Sequence, residues 1–257
     1  RAVDVLRFRW NGSELVDVTG APEIPLYVAD SFLLNEGKVV GYHRHLERFA
    51  SSAKFQGLVQ PVDDFLSAVT VALPRTGVLF PRIDLTERGE LELHIRPAPE
   101  LHETIVLATA DHDPRVEPGI KGPDIPALNV LRLEAQQRGA DEAGILDNQG
   151  RIVDGSTTCF IWFAQGGLYI PPAEAIRVNS TTVAAAKELA AKGGLSVSET
   201  WATPADLEGV ELYALNALHG IRAVTSWVNG PTLATSPERL AHWREQYELL
   251  AQDLPGH

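Results

Sequence analysis

Residues 139–156 read GADEAGILDNQGRIVDGS, and this stretch indicates a sheet in the second half of the chain. Residues 143–147 are apolar enough for a buried strand, and the Asn-Gln-Gly that follows favours a turn. The spacing of apolar residues predicts a helix before it, over 127–139. A β-hairpin is predicted after it, over 160–170, because two apolar runs flank a Gly-Gly pair. The stretch therefore lies in a domain that mixes helices with a sheet.

The residues ahead of this stretch predict a second sheet with its own helices. Residues 3–10 alternate between apolar and polar and end at an Asn-Gly turn, which is typical of a strand. The elements predicted after it are helices over 45–58 and 62–73, a hairpin over 83–95 and a strand over 104–108. Nearer the carboxyl end, the pattern predicts an Ala-rich helix over 181–192, a buried segment over 213–228 and an amphipathic helix over 237–250.

A segment rich in proline and glycine separates the two groups of elements. Four prolines and two glycines fall within 111–126, and such residues break regular structure. We therefore expect a small N-terminal domain over 1–112, a linker over 113–126 and a larger domain over 127–257. Each domain is expected to be a sheet with packed helices, which makes the fold class α+β.

Composition narrows the possible partners. Lys and Arg total 22 against 34 Asp and Glu, and the resulting net charge of −12 repels nucleic-acid phosphates. Cys159 is the only cysteine and the eight histidines are scattered, so neither an internal disulfide nor a metal site is expected. No apolar run approaches the roughly 20 residues that cross a bilayer, and the first residues lack a signal-peptide pattern. We expect a cytoplasmic protein that binds neither nucleic acid nor membrane.

Two features are candidates for chemistry. Residues 179–182, Asn-Ser-Thr-Thr, open the predicted Ala-rich helix, where backbone N–H groups can bind phosphate but where ordinary caps also occur. Lys121 lies in the Pro/Gly-rich segment, and the local sequence alone is typical of a solvated surface lysine. Motifs of serine hydrolases, phosphate-binding loops, zinc proteases and dinucleotide folds are absent.

Several short motifs are similar to those of the fold type IV aminotransferases. This is the family of branched-chain aminotransferase, D-amino-acid aminotransferase and aminodeoxychorismate lyase. Besides the opening stretch, the resemblance rests on YVADSF at 27–32, GKV at 37–39, HLERF at 45–49, GIK at 119–121, PP at 171–172, VNSTT at 178–182 and NALHGI at 216–221. These motifs occur in the family's order and span nearly the whole chain.

The resemblance implies pyridoxal phosphate as the cofactor and a two-domain fold like that of D-amino-acid aminotransferase. Lys121 becomes the catalytic residue, because it takes the place of the family's Schiff-base lysine. Asp154 stands where the family usually has a glutamate that pairs with the pyridine nitrogen, and an anion there keeps the ring protonated. The cofactor-binding residues implied are Arg48, Lys121, Asp154, Ser180, Thr181 and Thr182, of which Arg48 and the last three bind the phosphate.

The resemblance also implies a substrate site and a reaction. The residues that it places near substrate are Tyr27, Asn216, Ala217, Leu218 and His219. The expected activity is transamination between an amino donor and a keto-acid acceptor, catalysed by a homodimer. Two alternatives stay open: an aminodeoxychorismate lyase that releases pyruvate, and a family relic that binds the cofactor without turnover. The chain departs from the family at 124–126, where Asp-Ile-Pro replaces the usual aromatic residue or arginine, at Cys159, where asparagine is common, and at Val183.

Overall fold

The computed structural model describes residues 5–256 and contains seventeen strands, five α-helices and one 3₁₀ helix within them. The strands are Leu6–Trp10 (β1), Leu15–Asp17 (β2), Leu26–Ser31 (β3), Leu34–Asn35 (β4), Lys38–Val40 (β5), Val78–Leu79 (β6), Arg82–Thr86 (β7), Leu91–Ile95 (β8), Thr104–Thr109 (β9), Glu142–Leu146 (β10), Ile152–Gly155 (β11), Cys159–Ala164 (β12), Gly167–Ile170 (β13), Val197–Glu199 (β14), Glu211–Asn216 (β15), Gly220–Val228 (β16) and Ala251–Asp253 (β17). The helices are Tyr42–Phe55 (α1), Val62–Ala72 (α2), Ile125–Gln137 (α3), Thr181–Lys192 (α4) and Pro237–Glu248 (α5), with the 3₁₀ turn at Pro204–Leu207. The predicted α+β class is confirmed.

Local signals account for most of these boundaries. Ser180 caps α4 by accepting a hydrogen bond from the backbone N–H of Val183, and two glycines follow the last residue of that helix. The helix predicted over 45–58 begins three residues earlier, at Tyr42, directly after Gly41, which adopts the left-handed conformation with φ 66°. The segment predicted as buried over 213–228 is two antiparallel strands, β15 and β16.

The chain divides into two compact units. The first comprises Arg1–Leu101, Ile120–Pro123 and Leu250–His257, and the second comprises His102–Gly119 and Asp124–Leu249. The first holds a five-stranded sheet in the order β2-β1-β8-β7-β3 and a four-stranded sheet in the order β17-β5-β4-β6. Its core includes Phe32, Phe49 and Phe65, all fully buried.

The second unit is built on an eight-stranded mixed sheet in the order β11-β10-β9-β16-β15-β12-β13-β14. Alternate residues of β12 face opposite sides of this sheet, as the period of a strand requires. Phe160 and Trp162 join one apolar core, whereas Ile161 joins another that includes residues of α4 and α5. The ends of β11, β12 and β15 are thereby fixed relative to the start of α4 within this unit.

The division of the chain differs from the domain boundaries expected at 112/113 and 126/127. Residues 102–112, which were assigned to the first domain, belong to the second unit because β9 pairs in parallel with β10 and β16. Residues 120–123 belong to the first unit, and so does β17, which pairs with β5. Pairings between strands so far apart in sequence leave no local signal from which the boundaries could be predicted.

The helices in the described part of the chain are all too short or too polar to cross a membrane.

Candidate functional site

Lys121 lies in a four-residue segment that is fastened to β3 in the first unit. Its carbonyl oxygen accepts a hydrogen bond from the backbone N–H of Ala29, at 2.8 Å. The next residue, Gly122, has φ +136° and lies so close to β3 that an added Cβ would be 2.8 Å from backbone atoms of Val28 and Ala29. Only glycine fits there without displacement. The backbone on both sides of the Lys121 side chain is therefore fixed in position.

Asp30, the residue after Ala29 in β3, forms a buried ion pair with Arg48. The Arg48 guanidinium in α1 forks onto it, with Nε 2.7 Å from Oδ2 and Nη2 2.8 Å from Oδ1. Burial alone would raise the pKa of Asp30, but the charge of Arg48 and the hydrogen bond from His45 outweigh it and lower that pKa to about 2. Asp30 is therefore a carboxylate that fixes the direction of the Arg48 side chain.

His45 lies on the same face of α1 as Arg48 and is also held by Asp30. Its Nδ1 is 2.7 Å from Asp30 Oδ1, so Nδ1 carries the hydrogen. Burial lowers the pKa of His45, and the nearby charges of Arg48 and Lys121 lower it further. The imidazole is therefore neutral. Because both charges act on His45, the first unit brings two of the predicted cofactor residues, Arg48 and Lys121, near the same side chain.

Asp154 lies at the end of β11 in the second unit and is 8% exposed. Its Oδ1 has no hydrogen-bond partner within 5–256. Its Oδ2 is 3.5 Å from Nη1 of Arg115. Burial raises the pKa of Asp154 to about 7, although Arg115, Cys159 and Arg177 each act to lower it. A buried acid with one unsatisfied oxygen fits a cationic ring N–H donor, since such an oxygen otherwise loses hydration without compensation.

The start of α4 lies close to Asp154. Thr181 and Thr182 are buried in the first turn, and Ser180 caps the helix through Oγ, 3.1 Å from the N–H of Val183. Cys159 interacts with both Asp154 and Ser180, and its pKa is raised above the ordinary range by burial and by the Asp154 charge. The thiol therefore stays protonated, and it connects the acid to the helix start. First-turn N–H groups and two buried hydroxyls suit a phosphate.

The predicted substrate residues Asn216, Ala217, Leu218 and His219 form the turn between β15 and β16, and all four are half-buried. Asn216 Oδ1 accepts a hydrogen bond from the N–H of His219, at 2.8 Å. His219 Nδ1 accepts one from the N–H of His102, at 3.1 Å, and burial with the charges of Arg222, His102 and Arg244 lowers the His219 pKa to about 3. The imidazole of His219 is therefore neutral and acts as an acceptor.

Tyr247, in α5, connects this turn to the start of α4. An added Cβ at Gly220, where φ is +68°, would lie 2.9 Å from Cε1 of the Tyr247 ring. Tyr247 is half-buried, its phenol interacts with the Thr182 side chain, and loss of hydration raises the phenol's pKa. The second unit thus brings together Asp154, the phosphate-binding candidates at the start of α4 and the turn before Gly220. Tyr27, the remaining predicted substrate residue, is exposed on β3 of the first unit.

Sequence reasoning missed the residues that hold the predicted ones in place. Asp30 and Cys159 each lay inside or beside a quoted motif, but no local signal indicated which side chains they contact. Arg115 lies 39 residues before Asp154 in sequence, and Tyr247 lies 93 residues after it. Only the folded chain brings Arg115 within reach of Asp154.

A second buried polar cluster in the first unit, formed by Asp84, Glu92 and His94, has ligand atoms that lie close together. Arg82 Nε is 2.7 Å from Asp84 Oδ1, and Arg7 Nη2 is 2.9 Å from Glu92 Oε1. His94 Nε2 is 2.9 Å from Asp84 Oδ2. Because each carboxylate already receives a guanidinium, the cluster is an ion-pair network between β1, β7 and β8.

Comparison with protein families identifies the chain. The model of the class IV aminotransferases matches residues 27–227, most of the chain. The chain belongs to this family. Class IV aminotransferases use pyridoxal phosphate, so the chain is a pyridoxal-phosphate-dependent enzyme of the aminotransferase class, as its motifs predicted. A comparison with curated proteins found no match.

Solved structures of several aminotransferases share the fold. A fold IV transaminase from Curtobacterium pusillum has a TM-score of 0.80 at 17% identity, covering 95% of this chain and 97% of its own. A hypothetical aminotransferase from Mycobacterium tuberculosis, in its pyridoxal-phosphate-bound form, has a TM-score of 0.78 at 16% identity, covering 96% and 98%. A branched-chain aminotransferase from Thermoproteus uzoniensis with norvaline has a TM-score of 0.79 at 20% identity, covering 97% and 100%.

Proposed function

We propose that this enzyme transfers an amino group from a small amino donor to a keto acid, with pyridoxal phosphate bound through Lys121 Nζ. The observation that carries the proposal is Asp154, a buried acid whose Oδ1 has no partner among the described residues and which shares the neighbour Cys159 with Ser180, the cap of α4. An acid and a helix start joined through one side chain offer a partner to each polar end of the cofactor, its pyridine nitrogen and its phosphate. When bound, the cofactor supplies an electron sink for the negative charge that develops at the substrate Cα.

The residues of the chain have distinct tasks in this proposal. Lys121 Nζ would hold the cofactor, and its free amine would take up the proton that leaves the substrate Cα and return it. Asp154 holds the proton on the pyridine nitrogen. Arg48 and the first turn of α4, with Ser180, Thr181 and Thr182, bind the phosphate. A guanidinium fork and oriented N–H groups are the donors that phosphate oxygens accept best.

Substrate recognition is assigned to Tyr27 and to the turn from Asn216 to His219. A neutral His219 whose Nδ1 is already engaged by the N–H of His102 has only Nε2 left for a substrate group. We further propose that the enzyme works as a cytoplasmic homodimer, which is what the motifs of the chain imply for its family. Molecular mass in solution, measured by light scattering, tests the dimer.

The same residues would serve the lyase reaction, in which the substrate side chain leaves as pyruvate. Neither the acid nor the lysine distinguishes the two reactions, because both begin with removal of a proton from the substrate Cα. A non-catalytic relic is the third candidate. Retention of Lys121 in a position fixed by Ala29 and Gly122 argues against it, since a relic gains nothing from that placement.

Borohydride trapping tests the central assignment. Purified protein should be yellow, and borohydride should attach the cofactor permanently to the peptide that contains Lys121, whereas the Lys121→Ala variant should show no attachment. Label on another lysine would refute the assignment. Amino acids that bleach the yellow colour and yield a keto acid indicate transamination, pyruvate release from aminodeoxychorismate indicates the lyase, and a spectrum that no amino compound alters indicates the relic.

A further inference from the structure

The side chain of Arg115 is buried although the residue lies in an irregular segment of the second unit. Its side chain is 6% exposed. Nε and Nη2 fork onto Asp113, with both N–O distances 2.9 Å, and Nη1 donates to the carbonyl oxygen of Ile176 at 3.0 Å. The same Nη1 is 3.5 Å from Asp154 Oδ2. Every terminal nitrogen of the guanidinium is thus directed at an acceptor, and one of those acceptors is the proposed cofactor-binding acid.

The backbone around Arg115 is also held in place. Asp124, which is buried at the start of α3, accepts hydrogen bonds from the N–H groups of Val116 and Glu117, both at 2.9 Å. Fixing a long side chain normally costs conformational entropy, and here two aspartates, Asp113 and Asp124, supply the compensating contacts. Arg115 therefore keeps one orientation toward Asp154.

The other groups around Asp154 cannot replace this contact. Arg177 contributes charge, but its guanidinium donates to the backbone carbonyl oxygens of Pro171, Pro172 and Ala175. Cys159 is a protonated thiol, a weak donor. Arg115 is the one cation at ion-pair distance from Asp154 among residues 5–256. It faces Oδ2, and Oδ1 is left unsatisfied.

We propose that Arg115 is a positioning residue for the cofactor: by lying within ion-pair distance of Oδ2 it holds the Asp154 carboxylate in one orientation for the pyridine nitrogen. The inference rests on the proposed function, since it assumes that Asp154 is the partner of that nitrogen. A shorter acid than the family's usual glutamate reaches less far, so a fixed orientation matters more here than it would for a longer side chain.

The charge on Asp154 gives the inference a measurable consequence. Burial raises the pKa of Asp154 to about 7, while Arg115 is the strongest influence in the opposite direction, ahead of Cys159, Arg177 and the N–H of Gly155. Removing the guanidinium raises that pKa further, so the carboxyl becomes neutral at a higher pH. A neutral carboxyl does not stabilise a protonated ring, and cofactor affinity on the acid side of its pH profile should fall.

The test measures binding of pyridoxamine 5′-phosphate to the full-length protein freed of cofactor, because this ligand needs no bond to Lys121. Calorimetry from about pH 6 to about pH 9 should show, for Arg115→Gln, an acid limb displaced upward by about one pH unit, with binding about fivefold weaker at pH 7 and about tenfold weaker at pH 6. Arg115→Lys keeps the charge and loses the forked hydrogen bonds, so its acid limb should lie between those of Arg115→Gln and the unsubstituted protein. Arg138→Gln, which removes an exposed arginine from the same unit, is the matched control and should behave as the unsubstituted protein.

A ligand in which carbon replaces the ring nitrogen separates positioning from general damage. This deaza analogue offers no proton to Asp154, so Arg115→Gln should not weaken its binding. Equal weakening of both ligands, or an acid limb that stays in place, would overturn the inference. Should Arg115→Gln fail to fold, Asp113→Asn loosens the same fork and should displace the acid limb in the same direction by less. If the unsubstituted protein bound neither ligand, the proposed function would fail first, and the inference with it.

Discussion

The backbone N–H of Ala29 donates a hydrogen bond to the carbonyl oxygen of Lys121, at 2.8 Å. This bond ties the lysine that we propose as the cofactor carrier to β3, one residue before the buried Asp30. In the first unit, β3 therefore holds both the backbone of Lys121, through Ala29, and the side chain of Arg48, through Asp30. A change in the fit of the lysine segment against β3 should move Lys121 without touching its side chain.

Gly122→Ala tests that fit. The new Cβ would lie 2.8 Å from the backbone of β3, and φ +136° is a conformation that costs a non-glycine residue about 1–3 kcal/mol. We expect the free energy of unfolding to drop by at least about 2 kcal/mol and the yield of borohydride-trapped cofactor to fall. Urea unfolding and absorbance of the trapped product measure the two effects.

Gly119→Ala is the control for this substitution. Gly119 is two residues before Lys121, the nearest atom to an added Cβ is Ile176 Cγ2 at 3.9 Å, and its φ lies outside the left-handed region. This variant should unfold and trap cofactor like the unsubstituted protein. Equal loss in both variants would show that any added methyl group in the segment is harmful and that the contact with β3 has no special role.

Arg48→Ala should destabilise the first unit as well as weaken cofactor retention. Asp30 is almost completely buried, and removing one partner from a buried ion pair typically costs about 3–5 kcal/mol. The folded pKa of Asp30, about 2, lies below its unfolded value, so its stabilising effect is complete above the unfolded pKa and is lost as pH falls through about 2. The stability difference between the two proteins should therefore be full at neutral pH and shrink as the solution approaches about pH 2.

Lys54→Ala, on the exposed last turn of α1, is the matched loss of a positive charge. It should alter stability by less than about 0.5 kcal/mol at any pH. A difference for Arg48→Ala that stayed constant from neutral pH to about pH 2 would contradict the assigned role of Asp30.

Sequence patterns predicted the elements better than the contacts between them. The helix at Thr181–Lys192 was predicted with its observed limits, because a polar cap, an Ala-rich run and two glycines all act locally. The strand at Thr104–Thr109 was predicted over 104–108, but its parallel neighbours were not predicted, since pairing with β10 and β16 depends on residues far away in sequence. Lys121 shows the same limit: its local sequence is typical of a surface lysine, and only family motifs pointed to a role.

Tyr247→Phe tests whether α5 supports the phosphate-binding residues. The ring would still pack against Gly220, but the hydroxyl that interacts with Thr182 would be lost. A buried hydrogen bond of this kind contributes about 0.5–1.5 kcal/mol, so cofactor affinity should weaken by about twofold to tenfold. Calorimetric titration with pyridoxamine 5′-phosphate measures it. Unchanged affinity would limit Tyr247 to packing against the turn.

Asp154→Asn and Asp154→Glu separate a catalytic acid from a turn residue before Gly155. Asparagine keeps the shape and removes the charge, so the proton on the pyridine nitrogen loses its partner. A hydrogen bond to a charged group is worth about 1.5–3 kcal/mol, which corresponds to roughly a tenfold to hundredfold loss of cofactor affinity at most. Turnover should fall further than affinity, because the electron sink is needed most in the transition state.

Glutamate restores the residue usual in the family, but one more methylene must fit beside Arg115 and Cys159 in a buried site. We expect Asp154→Glu to keep the yellow colour and part of the activity, with turnover above that of Asp154→Asn. Stopped flow records the loss of cofactor absorbance in a single turnover with an accepted amino donor. This rate compares the variants without interference from product release. If asparagine supported the same single-turnover rate as aspartate, the pyridine would have no need of a charged partner, and the buried Oδ1 of Asp154 would require another explanation.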